Sequence, residues 1–208
     1  MPDKKKAEVS KKRPTRLSSG AATLSQLPPC KAYILVDSKK CSGCQACMHA
    51  CSLVHEGSVN PDFARLQVLR DPFGVFPTDL TINQCRQCVF PDCVAACPTE
   101  ACKVDKDNGN IRTIDQTECI GCQKCIQACP YTPSRVIWNN ITLKAMKCDL
   151  CLDTPYWDEK GGIDGSQACI KSCPMRAITL SKEVPSQIET LGYDINLRSS
   201  AWPLYKGD

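Results

Sequence analysis

Sixteen of the chain's eighteen cysteines fall into four sets of four. The first is Cys41, Cys44, Cys47 and Cys51; the second is Cys85, Cys88, Cys93 and Cys97. The third is Cys119, Cys122, Cys125 and Cys129, and the fourth is Cys148, Cys151, Cys169 and Cys173. The third reads C-x2-C-x2-C-x3-C-P. The second widens the middle gap to four residues and keeps the proline, Pro98. The fourth stretches that gap to seventeen and keeps Pro174, whereas the first has tight spacing but Ser52 in place of proline.

Thiolates at this spacing suit an iron–sulfur cubane. Three sulfurs from one tight loop reach three corners, and the fourth, three residues on, points elsewhere; in two-cluster proteins it ligates the neighbouring cluster. The proline then redirects the chain, because it fixes φ and removes a donor. Structural zinc is the competing reading, and it prefers paired C-x2-C knuckles across a longer loop around one tetrahedral ion. Four cysteines within eleven residues do not give that geometry; the long-gapped fourth set is the one zinc suits best. Cys102 reads as a small buried hydrophobe, with a spare-ligand role as the alternative, and Cys30 has no assignment. His49 and His55 read as packing or capping residues whose one functional use would be tuning a cluster.

The elements that must carry these loops repeat. Ile34-Leu35-Val36-Asp37, followed by Cys41-Ser42-Gly43-Cys44-Gln45, parallels Arg112-Thr113-Ile114-Asp115, followed by Cys119-Ile120-Gly121-Cys122-Gln123. Pro98-Thr99-Glu100-Ala101-Cys102 likewise parallels Pro174-Met175-Arg176-Ala177-Ile178. The fold expected is α+β: two fused bacterial-ferredoxin-like modules, loop-rich, around four iron–sulfur clusters. Short strands are predicted at Tyr33–Val36, Lys103–Asp105, Ile111–Ile114 and Ala177–Leu180, with short helices after each third cysteine. Asp107-Asn108-Gly109 signals a hairpin turn. The domain reading is a flexible basic tail over 1–29, a first module over 30–105 with an insertion at 52–84, a second over 106–180 with an insertion at 152–168, and a C-terminal extension over 181–208. Trp138, Tyr156, Trp157 and Trp202 suit either a subunit interface or shielding of the clusters.

Composition narrows the class. Apolar residues make up 42% of the chain, but without the 18 cysteines the share falls to about a third, thin for 208 residues. Metal clusters would complete such a core. Seven bases and two acids in residues 1–16 carry +5, more than the chain's +4, so the remainder is close to neutral. That argues against a nucleic-acid binder. The basic run reads as a solvated tail, or as a contact for an acidic partner or membrane surface. No hydrophobic stretch follows it, so a secretory or twin-arginine signal is not expected, and no run of about 18 apolar residues suggests a membrane span. The expected location is the cytoplasm, where thiols serve as ligands rather than disulfides.

The order of the sets, the C-x2-C-x4-C-x3-C-P second set and the long-gapped fourth resemble the four-cluster electron-transfer subunits of molybdenum and tungsten pyranopterin oxidoreductases, such as dimethyl sulfoxide reductase, formate dehydrogenase and nitrate reductase complexes. The resemblance covers about Tyr33 to Leu180 and implies four [4Fe–4S] clusters. It implies one held by Cys41, Cys44, Cys47 and Cys173, and a second by Cys148, Cys151, Cys169 and Cys51. A third would use Cys85, Cys88, Cys93 and Cys129, and a fourth Cys119, Cys122, Cys125 and Cys97. A narrower stretch, Cys47-Met48-His49-Ala50-Cys51-Ser52-Leu53-Val54-His55-Glu56-Gly57 with Asn60-Pro61 and Ala64-Arg65, resembles small subunits that accompany tungsten enzymes of the aldehyde:ferredoxin oxidoreductase family.

The function expected is electron transfer without catalysis, between a large tungsten or molybdenum pyranopterin subunit and a ferredoxin or a flavin- or NAD-linked subunit. A free-standing polyferredoxin and a zinc-stabilised interaction module are the alternatives. An iron–sulfur enzyme would need an iron lacking a cysteine, and sixteen cysteines leave none for four cubanes.

Overall fold

A computed structural model describes residues 27–75 and 79–183. The expected basic tail and C-terminal extension, and Trp202, lie almost wholly outside them. In chain order the elements are β1 (Tyr33–Val36), α1 (Ala46–Glu56), a 3-10 turn (Pro61–Phe63), β2 (Leu66–Arg70), β3 (Leu80–Gln84), α2 (Asp92–Ala95) and β4 (Cys102–Asp105). There follow β5 (Ile111–Ile114), α3 (Lys124–Gln127), β6 (Ile137–Asn139), β7 (Lys144–Met146), α4 (Ala168–Lys171) and β8 (Ile178–Ser181). The α+β ferredoxin-like expectation holds.

All the strands pair antiparallel in two-stranded ribbons: β1 with β8, β2 with β3, β4 with β5 and β6 with β7. The sequence repeat becomes a structural one. Val36 lies opposite Ile178 just as Ile114 lies opposite Cys102. Asp37 N–H donates to Ala177 O and Asp115 N–H to Ala101 O, both at 2.8 Å. Cys41 and Cys119 donate to the carbonyls of Asp37 and Asp115, both at 3.1 Å.

In the strand pairing the two repeats are nested. The Asp107–Gly109 turn joins β4 directly to β5, so the inner unit contains β4, β5 and the packed pair α2 and α3. β1 is then left for β8, and α1 packs on α4, closing an outer unit from the two ends of the described chain. The insertion at 52–84 carries the end of α1 and the β2–β3 hairpin, which the sequence reading missed, as it missed β6–β7. In the β6–β7 turn the buried Asn139 Oδ1 accepts the amides of Ile141 and Thr142 at 2.9 and 3.0 Å. The main apolar core gathers Tyr33, Leu35, Met48, Leu66, Val68 and Ile82, and Cys47, Cys51 and Cys169 belong to it.

Helix length follows the proline pattern. Each helix starts one residue before the third cysteine of its set, rather than after it. α2, α3 and α4 are single turns of four residues, and Pro98, Pro130 and Pro174 disfavour the helical conformation of the residue before them. With Ser52 in that place, α1 runs on for 11 residues through Cys51. Ser52 is fully buried; its hydroxyl donates to His49 O at 3.1 Å and accepts Asn60 N–H at 3.0 Å. Ser52→Pro is expected to break α1 and cost about 3 kcal/mol or more, read as a lower denaturation midpoint and a loss of helical circular dichroism.

Candidate iron–sulfur centres

The local backbone of each loop lets sulfurs converge. Gly43 and Gly121 occupy matching positions at φ +73° and +72°, and Gln45 and Gln123 cap the following helices in the left-handed region. At Gly121 a Cβ would also come within 2.3 Å of Leu143 O, so glycine is required twice over.

Three cavities open among the loops, and each is lined by three cysteines of one set and the last cysteine of another. Cys41, Cys44, Cys47 and Cys173 surround about 360 Å³. Cys119, Cys122, Cys125 and Cys97 surround about 310 Å³, and Cys85, Cys88, Cys93 and Cys129 about 340 Å³. The remaining four are also brought together: the sulfurs that raise the thiol pKa of Cys169 most, after burial, are Cys151, Cys148 and Cys51.

The sulfurs surround a space rather than a point. Among the described residues no three histidine, cysteine or acidic side chains gather tightly enough for a single ion. Four thiols converging on each cavity suit the 4Fe–4S cubane that the cysteine spacing indicates. Burial, and then neighbouring sulfurs, push the thiols of Cys47 and Cys88 up to about 12. Burial does the same to Cys151, with Cys51 adding to it. Crowded thiolates in such places require cations among them, and iron supplies these as the ligand protons leave.

A regular feature lies behind the ligands. The last sulfur of every set accepts a backbone amide from the segment that follows it. Arg65 N–H donates to Cys51 at 3.3 Å, Cys102 N–H to Cys97 at 3.3 Å, Arg135 N–H to Cys129 at 3.2 Å and Ala177 N–H to Cys173 at 3.3 Å. Such bonds stabilise thiolate charge and help set a cluster's potential. The spacing of cysteines gave no sign of them, although Ala101-Cys102 and Ala177-Ile178 in the repeat mark two of the donor segments.

A buried charge network flanks Cys51. Asp149 accepts from Arg65 Nη1 at 2.7 Å and from His55 Nε2 at 3.2 Å, all three side chains being nearly inaccessible. Burial works to raise the Asp149 pKa, but Arg65 and then His55 outweigh it and hold the carboxyl well below the usual range. Burial works to lower that of His55, but its bonds to Asp149 and Cys51 carry it up to about 9. The charged ring donates at both nitrogens: Nδ1 lies 2.7 Å from Cys51 O and 3.7 Å from Cys51 Sγ. His55 therefore does more than pack, whereas His49 is exposed. Cys30 and Cys102 are both buried; Cys102, in β4 opposite Ile114, also lines the cavity of Cys97, Cys119, Cys122 and Cys125.

Comparison with known proteins agrees with this chemistry. Residues 77–183 match the family model of a 4Fe-4S dicluster domain, and residues 38–56 that of a 4Fe-4S binding domain. The chain is 37% identical over 154 residues to the Protein NrfC homolog of Haemophilus influenzae, covering 72% of this chain and 64% of that protein. It is 32% identical over 153 residues to the putative electron transport protein YsaA of Escherichia coli, covering 70% and 87%. To the aliphatic sulfonate oxidoreductase, polyferredoxin-like subunit, of Pyrococcus furiosus it is 37% identical over 125 residues, covering 60% and 68%. The match thus spans just under two thirds of the first of these relatives.

Removing the shared anion tests the charge network. Asp149→Asn leaves two buried cations without their counter-charge and is expected to destabilise the cluster-loaded protein by about 3–5 kcal/mol, measured by anaerobic denaturant unfolding. His55→Gln, which leaves the Arg65 pair intact, is expected to cost less in the same assay.

Proposed function

This chain belongs to the 4Fe-4S dicluster family, and on that premise we propose that it is the electron-relay subunit of an oxidoreductase complex, holding four [4Fe–4S] clusters in one row. The observation that carries the reading is the crossed lining of the cavities, three cysteines from one set and one from another. On this reading Cys41, Cys44, Cys47 and Cys173 ligate the first cluster, and Cys148, Cys151, Cys169 and Cys51 the second. Cys85, Cys88, Cys93 and Cys129 ligate the third, and Cys119, Cys122, Cys125 and Cys97 the fourth.

The order of the row follows from which sulfurs act on one another across sites. Cys47 of the first site acts on Cys169 of the second. Cys85 of the third acts on Cys148 of the second, and Cys93 of the third acts on Cys125 of the fourth. Each bound cluster accepts and releases one electron at a time. The chain's own part is to ligate, to bury and to space these carriers. Cys44 and Cys122, one at each end of the row, are exposed, so electrons enter and leave there.

The catalytic partner proposed is a large tungsten or molybdenum pyranopterin subunit, of the aldehyde:ferredoxin oxidoreductase type by the stretch from Cys47 to Arg65. A relative named as the polyferredoxin-like subunit of an oxidoreductase supports a partnered rather than a free-standing protein. A ferredoxin or a flavin-linked subunit occupies the other end, and the complex is assigned to the cytoplasm. Among the described residues no helix is long and apolar enough to cross a membrane.

Anaerobically purified protein is expected to contain about sixteen irons and as many sulfides, four cubanes at four cysteines each. Cys129→Ser and Cys88→Ser are expected to perturb the same electron paramagnetic resonance signal, and Cys119→Ser a different one. Should Cys129→Ser instead group with Cys119→Ser, the crossed ligation is wrong. Co-purification with a large subunit carrying tungsten or molybdenum tests the partner.

A further inference from the structure

The four sites differ in the charge built around them. The cavity of Cys41, Cys44, Cys47 and Cys173 is lined by apolar and neutral polar side chains, with no charged residue among them. The same holds for the cavity of Cys97, Cys119, Cys122 and Cys125. Around Cys51 the charges are those of His55 and Arg65 set against Asp149. The cavity of Cys85, Cys88, Cys93 and Cys129 is lined by Lys147, Arg86, Arg112 and Arg135, with Asp92 as the one acid.

Lys147 reaches a ligand sulfur directly. It directly precedes Cys148, so its backbone belongs to the second site, yet its Nζ lies 3.9 Å from Cys93 Sγ in the third. The residue is 2% exposed. Arg86 and Arg135 both stack on the ring of Tyr131, at 5.7 and 5.5 Å to its centroid, and Tyr131 Oη lies 3.8 Å from Cys88 Sγ. The two guanidiniums are thus held against this site's ligands. Arg112 is fully buried, bound to the carbonyls of Asn110 and Pro28 at 2.5 and 2.7 Å, and so is a fixed charge as well.

We propose that the third site, held by Cys85, Cys88, Cys93 and Cys129, has the highest reduction potential in the row, and that Lys147 is the positioning charge chiefly responsible. One-electron reduction adds one negative charge to the ligated cluster, the electron coming from the ferredoxin or flavin partner. A fixed cation a few ångströms away, buried where salt screens little, favours that added charge. The linings of the end cavities supply no charged side chain. The third site therefore retains an electron that enters from either end, one position in from the end at Cys122. This inference rests on the four-cluster reading above.

The test is an anaerobic redox titration of the full, cluster-loaded chain, followed by electron paramagnetic resonance. Cys88→Ser identifies the third site's signal. In the wild type that signal is expected to be the first to appear as the potential falls. Lys147→Met keeps the stem and removes the charge; it is expected to move that signal to lower potential by more than it moves the other three. Lys147→Arg is expected to restore it, and Arg135→Gln to lower it by a smaller step. If the third site's signal is not the first to appear, or Lys147→Met leaves it in place, the inference is overturned while the four-cluster reading stands. Should Lys147→Met fail to retain all four clusters, the wild-type order and Arg135→Gln decide. Wild-type protein without about sixteen irons overturns the reading itself.

Discussion

Cysteine sulfur bound to iron is the interaction on which this chain's architecture depends. Among the described residues the regular structure is slight: two-stranded ribbons of three to five residues, one helix of eleven residues and three single-turn helices. Two-stranded ribbons are marginal in water, and helices of one turn do not persist alone. The apolar core is correspondingly thin, and cysteines stand inside it where another protein would place leucine or valine. A cluster gripped by four of them ties together segments far apart in the chain. Its binding energy is then folding energy.

The crossed fourth cysteine adds a second constraint. Each of three cavities takes three sulfurs from one loop and one from another. Neighbouring sites in a unit are therefore linked through a loop and a helical turn, and their separation is set by that geometry. This gives a relay what it needs, carriers at fixed and short spacing. The same segments then supply the next shell. An amide from β4, or from the segment entering β2, β6 or β8, falls onto each of these last sulfurs. Ligation, spacing and tuning are thus done by one piece of backbone.

Charge makes the four sites unequal. The cavities at the two ends have no charged side chain in their linings, the second site holds a triad of two cations and one anion, and the third is lined by cations. A row built from near-identical loops acquires direction only from such differences, since ligation by cysteine is common to all four. Lys147 shows how compactly this is arranged, with its backbone at one site and its ammonium at the next.

Much was legible in the sequence because its signals are local. Cysteine spacing identified the cofactor, the duplicated strand–loop pattern identified the repeat, and Asp107-Asn108-Gly109 identified the turn. Ser52 in place of proline already foretold a longer first helix, although the length was not drawn from it. The nesting of the units was decided by tertiary structure, because β1 finds β8 only through closure of the whole fold. The β2–β3 hairpin was missed although Asp71-Pro72 and Gly74 are turn residues between its strands, and the three-residue strands of β6–β7 are too short to show a period. The partners of Asp149 lie 84 and 94 residues away, and the ammonium of Lys147 rests 54 residues from its own position. Spacing along the chain specifies which atoms bind iron, since neighbouring ligands come from one loop. The field those irons experience comes from side chains that meet only in three dimensions.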